Sequence, residues 1–134
     1  MGLDTSHNAF HGAYSSFNRF RKVVAEAAGG SYPPHKDENM DKENWYWDSS
    51  YSKEANPGLY EFFNHSDCDG EISPEMCVKV ADELEKLLPR IEELSKGTDG
   101  GGHIARDGGF VEVTKRFITG CRSAAGENEP LIFG

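Results

Sequence analysis

The chain has 134 residues, 37% of them hydrophobic and 28% charged, with a formal net charge of -9. That length holds one hydrophobic core rather than two, so a single domain over 1–134 is expected. The acidic balance repels a polyanion and argues against DNA as a partner, and no apolar run is long enough to cross a bilayer.

Taken in chain order, the first periodic signal is Tyr14, Phe17, Phe20, Val24 and Ala27, recurring at three- and four-residue steps. It predicts a helix over 15–28, with Ser15 or Ser16 as N-cap and Gly29-Gly30 as the stop. Arg19, Lys22 and Glu26 fall on its wet face. Between 31 and 57 there is no Leu, Ile or Val, while prolines, acids and the run Trp45-Tyr46-Trp47 accumulate. This reads as a long loop or lid whose tryptophans bury against the core or a ligand. Asn56-Pro57-Gly58 marks a turn, and Leu59-Tyr60-Glu61-Phe62-Phe63 is a short apolar element, helical turn or strand.

Ser73 then reads as an N-cap with Pro74 at the first helical position. Cys77, Val80, Ala81, Leu84, Leu87, Leu88, Ile91 and Leu94 trace one apolar face, the strongest helical pattern in the chain. Pro89 falls inside that run, so a kink or restart is expected there. Residues 97–102 are glycine-rich but lack the Gly-Lys-Ser/Thr ending of a phosphate loop. Phe110, Val113, Phe117, Ile118, Cys121 and Ala124 predict a last helix ended by Gly126, and Leu131-Ile132-Phe133 an edge strand. The expectation is an α+β domain, mostly helical with three main helices, a small sheet or edge strand, and a long aromatic loop.

Three cysteines without a Cys-x-x-Cys pair suggest a reducing compartment, with the cytoplasm as default. The stretch from His65 to Met76 sets Asp67, Asp69 and Gly70 where a calcium loop of the EF-hand type places ligands and its turn glycine. His65 stands at the first position and Met76 at the twelfth, which removes the oxygen donors a hard cation needs. A zinc-like ion is the other option: His65-x-x-Cys68 and His7-x-x-x-His11 have the spacing of zinc ligand pairs. His65, Asp67, Cys68 and Asp69 are therefore the candidate metal ligands. Cys68 beside His65 or His103 is also a conceivable nucleophile, although its two aspartate neighbours oppose a thiolate.

Gly2-Leu3-Asp4-Thr5-Ser6-His7, His11-Gly12-Ala13-Tyr14, His65-Ser66-Asp67-Cys68-Asp69-Gly70 and Gly101-Gly102-His103-Ile104 together resemble a family of small bacterial and bacteriophage proteins to which no reaction is attached. The resemblance implies a phage-type protein that acts by binding rather than turnover. One such role is counter-defence by sequestering a signalling nucleotide. In that picture His7, His11, Tyr14 and His103 line a polar cleft, Arg19 or Arg21 meets phosphate, and Trp45 or Trp47 stacks on a base. The competing expectations are a small metal-dependent hydrolase, with His7, His11 and His65 or Asp67 around the ion, and a host-protein interaction module without a small ligand.

Overall fold

Eight apolar residues at helical spacing behind a Ser-Pro start become the longest element among the described residues. The structure, a computed structural model, describes residues 2–28, 56–64, 70–97, 102–106 and 108–133. Among these, β1 (Gly2–Asp4) and β2 (His11–Ala13) flank a 3-10 turn at Ser6–Asn8, and α1 (Tyr14–Ala27) and α2 (Pro57–Asn64) follow. After them come β3 (Glu71–Ile72), α3 (Pro74–Leu94), α4 (Gly102–Arg106), α5 (Phe110–Gly126) and β4 (Leu131–Ile132). The domain is mostly helical with short antiparallel strands, the α+β architecture expected.

Ser73 caps α3 as its spacing implies, its hydroxyl accepting from the Met76 N–H at 3.3 Å. The helix runs through Pro89 without a restart. Pro89 is exposed, so the carbonyl it leaves unpaired one turn earlier can turn to water, and only one ladder bond is lost. At α1 the expected serine cap is absent. Ala13 is the N-cap, without a side-chain bond, and the Ser16 hydroxyl instead accepts from Arg19 at 3.1 Å. Strand β2 hands the chain directly into α1, so the strand rather than a cap fixes the entry.

The undecided element at 59–63 is helical because Leu59, Phe62 and Phe63, all buried, share a helix face and do not alternate. Of the proposed loop or lid, residues 31–55 lie outside the described residues, Trp45 and Trp47 among them, and Pro57 opens α2. Strand β4 pairs with β3 through Ile72↔Leu131 and Glu71↔Ile132. Its other side meets the N-terminal segment, where Thr5 bridges Phe133 and the Ser6 hydroxyl accepts from the Ile132 N–H at 2.8 Å. The tail is thus the edge strand expected, with β3 as its ladder partner and the N-terminal segment touching its open side.

The core is a cluster of phenylalanines drawn from separate elements. Phe17 packs its ring against Phe10 at 5.0 Å, Phe133 at 5.9 Å and Phe62 at 6.0 Å, and Phe62 meets Phe117 at 5.3 Å. Most of these pairs are edge-to-face, the arrangement ring quadrupoles favour. Arg21 enters the same cluster, 2% exposed, its guanidinium 4.3 Å from the Phe17 ring centre.

Candidate functional site

The described polar chemistry concentrates where the N-terminal turn lies on α5. Arg116, Gly120, Ser123 and Glu127 follow at four-, three- and four-residue steps, so they share one face of that helix and its end. Each does a separate job. Arg116 Nε donates to the Asn8 carbonyl at 2.8 Å. Gly120 admits the turn itself: a Cβ there would sit 2.6 Å from the Ala9 Cα and 3.0 Å from its nitrogen. Ser123 and Glu127 then face the side chain of His7.

The turn is closed by Thr5. Its hydroxyl accepts from the Phe10 N–H at 2.9 Å, and its own N–H donates to the Phe10 carbonyl at 3.0 Å. Closure this tight forces His7 (φ 57°) and Asn8 (φ 56°) into the left-handed region, which costs a side-chain-bearing residue roughly 1–3 kcal/mol. The His7 ring is thereby laid against the end of α5, its side chain 11% exposed.

What the ring meets there is set by how α5 stops. Asn128, at φ 56°, takes the left-handed position after the helix. The Glu129 N–H bonds the Ala124 carbonyl at 2.8 Å, and the Asn128 N–H the Ala125 carbonyl at 3.0 Å. That pair of bonds is the Schellman ending, and it reverses the chain so that Glu129 returns alongside Glu127. His7 Nδ1 lies 3.2 Å from Ser123 Oγ and 3.8 Å from Glu127 Oε2, while Nε2 lies 3.1 Å from Glu129 Oε2. One ligand atom from each of His7, Glu127 and Glu129 falls within 4.8 Å of the other two. Both carboxylates are more than half exposed and can swing.

The other residues singled out by sequence are distributed differently. His11 pairs with Asp4 across the hairpin, Nδ1 to Oδ1 3.5 Å, with both side chains exposed. Arg19 is exposed and Arg21 buried, as two residues two apart on a helix must point to different sides, so the two do not face one phosphate together. Tyr14 opens α1 and His103 lies in α4, with their side chains outside the description. His65, Asp67, Cys68 and Asp69 also lie outside the described residues. Sequence reasoning missed Ser123, Glu127 and Glu129. The usable signal was Gly126-Glu127-Asn128-Glu129, a helix stop in which Asn supplies the left-handed residue between two acids.

A groove of about 410 Å³ opens elsewhere, between the end of α1, the start of α2 and α3, with Lys79, Glu83 and Lys86 on its rim. None of the sequence candidates lines it. One of its two acids is occupied: Glu83 accepts the Gly58 N–H at 2.8 Å and the Leu59 N–H at 3.2 Å, capping α2 from the neighbouring helix. No helix among the described residues is long and apolar enough to cross a membrane. No protein-family model, no curated protein and no solved structure matches the chain.

Proposed function

We propose that the protein is a small binding module and that its His7 site takes a divalent transition-metal ion of the zinc type. The observation that carries this reading is the convergence of one imidazole and two carboxylates within 4.8 Å of one another. Imidazole nitrogen with carboxylate oxygen is a donor set suited to zinc and its neighbours, and the exposed carboxylates need only close to metal–ligand distances of about 2 Å. Nδ1–H would donate to Ser123 Oγ, leaving Nε2 for the ion, the outer contact that fixes the ring in known histidine–metal sites. The left-handed backbone at His7 supports the same reading, since such strain persists where a side chain must be held in one place. A net charge of -9 favours the approach of any cation.

Three protein ligands leave the fourth tetrahedral position open. A small ligand bound there would make the site a sink for that ligand. An activated water there would make the protein the small hydrolase of the second reading.

Native mass spectrometry and calorimetry with Zn²⁺ test the proposal. The expected result is one ion per chain, removed by chelator, with affinity reduced by at least roughly tenfold in His7→Ala and in the double variant Glu127→Gln/Glu129→Gln. Zinc held equally by all three proteins would place the ion elsewhere and end the reading. Adding a nucleotide panel separates the counter-defence role: a nucleotide retained unaltered through desalting supports sequestration.

A further inference from the structure

The groove between α1, α2 and α3 has no part in the His7 site. Lys79, Asp82, Glu83 and Lys86 recur on α3 at three- and four-residue steps, so they share one face of that helix, and with Leu87 they form one wall of the groove. Ala27 and Ala28, where α1 ends, and Leu59, in the first turn of α2, complete its apolar lining. Leu59 and Ala28 are buried, while Ala27 and Leu87 are half-buried and present aliphatic surface to the opening. A volume of about 410 Å³ falls in the range of small-molecule pockets, roughly 300–1,000 Å³.

The charges on this wall are unequally satisfied. Both Glu83 oxygens accept N–H groups of α2, at 2.8 and 3.2 Å, and Asp82 Oδ1 lies 3.4 Å from Arg122 Nη2 of α5. Among the described residues neither Lys79 nor Lys86 has a carboxylate or other polar partner. Their stems leave α3 two turns apart, about 10.5 Å along the axis, on either side of Glu83. The unanswered charge of the groove is therefore positive, on a chain whose net charge is -9. Such a chain repels anions as a whole, so any anion it holds must meet local cations directly.

We propose that this groove is a second ligand site and that it takes a small organic anion, with an apolar body on Ala27, Leu59 and Leu87 and a carboxylate or phosphate group on Lys79 and Lys86. The apolar body removes aliphatic surface from water, which the lysines alone could not do for a bare inorganic ion. Lysine ammonium groups act as point charges on flexible stems, so they fix the sign of the ligand's charge without demanding one head-group shape. Glu83 keeps its place in the wall because its oxygens are bonded to α2, and it does not swing out to neutralise either lysine.

The probe for the test is anilinonaphthalene sulfonate, an apolar ring system with one anionic group whose fluorescence rises when it leaves water, titrated into the full chain. Expected is one site per chain, with affinity lower by roughly threefold in Lys79→Gln and in Lys86→Gln and by about tenfold in the double variant, and falling with added salt. Both lysines are exposed, so the variants should keep the fold, which thermal melts check. Zinc affinity should be the same in all of them, so this site and the His7 reading stand or fall separately. Displacement of the probe by decanoate identifies a carboxylate ligand, and displacement by a nucleoside monophosphate a phosphate one. Equal probe affinity in the double variant, fluorescence that appears only as the chain melts, or displacement by neither anion would each overturn the proposal.

Discussion

Two glycines let backbone meet backbone in this fold, and the acids beside them are used in opposite ways. At Gly58, α2 lies so close to α3 that a Cβ would sit 2.5 Å from the Lys79 carbonyl carbon, and Glu83 turns both its oxygens onto the N–H groups at the start of α2. At Gly120, α5 carries the N-terminal turn, and Glu127 and Glu129 turn toward an imidazole. Glu83 is committed to backbone donors that would otherwise lack a partner, so it holds structure together. The carboxylates of Glu127 and Glu129 accept from no backbone N–H among the described residues, and their lone pairs remain open to an ion. Acids of one type thus differ by what already satisfies them.

The sharpest way to break that contrast is Gly120→Ala against Gly58→Ala. Each added methyl meets neighbouring backbone that cannot move without shifting an element, and each should cost about 2–3 kcal/mol in denaturant melts. Gly120→Ala should also abolish zinc binding by displacing the turn, whereas Gly58→Ala should leave the affinity unchanged. Equal affinities would mean that the turn does not position the ion. Next in size is Glu83→Ala, which strips the cap from α2 and should lower stability by about 1–2 kcal/mol with no change in calorimetric zinc affinity. The smallest effect separates His7→Gly from His7→Ala. Both lack the imidazole and should bind zinc equally weakly, but glycine accepts the left-handed backbone freely, so it should be the more stable by about 1 kcal/mol. Matching melting curves would show that the turn carries no strain at that residue.

What the sequence made legible were long, locally repeated patterns. The apolar faces of α3 and α5 could be read from their periods: Cys77, Val80, Ala81, Leu84 and Ile91 on one, and Phe110, Val113, Phe117, Ile118, Cys121 and Ala124 on the other, are buried, while Leu87, Leu88 and Leu94 of the α3 face are only half-buried. The five-residue run at 59–63 was too short for a period to decide its type, and α4, five residues long, left no pattern to find. Arg21 could have been anticipated in the core, since Phe17 stands four residues before it, the spacing at which helix side chains touch. Of the His7 group only His7 itself was singled out, paired with His11 rather than with Glu127 and Glu129. Spacing arguments draw metal ligands from nearby residues, as with His65 and Cys68, whereas His7 and Glu129 are brought together by a strained turn and a helix ending 122 positions apart.

The interlocked phenylalanine rings have a consequence for how the chain reaches this state. Phe10, Phe17, Phe62, Phe117 and Phe133 belong to five different segments, yet each ring is part of another's packing surface. Little of that contact can be gained until distant stretches have been brought together, and loop entropy is lost before the rings repay it. Such a molecule folds slowly for its helix content and comes apart in one step, because releasing any single segment uncovers the rings of the rest.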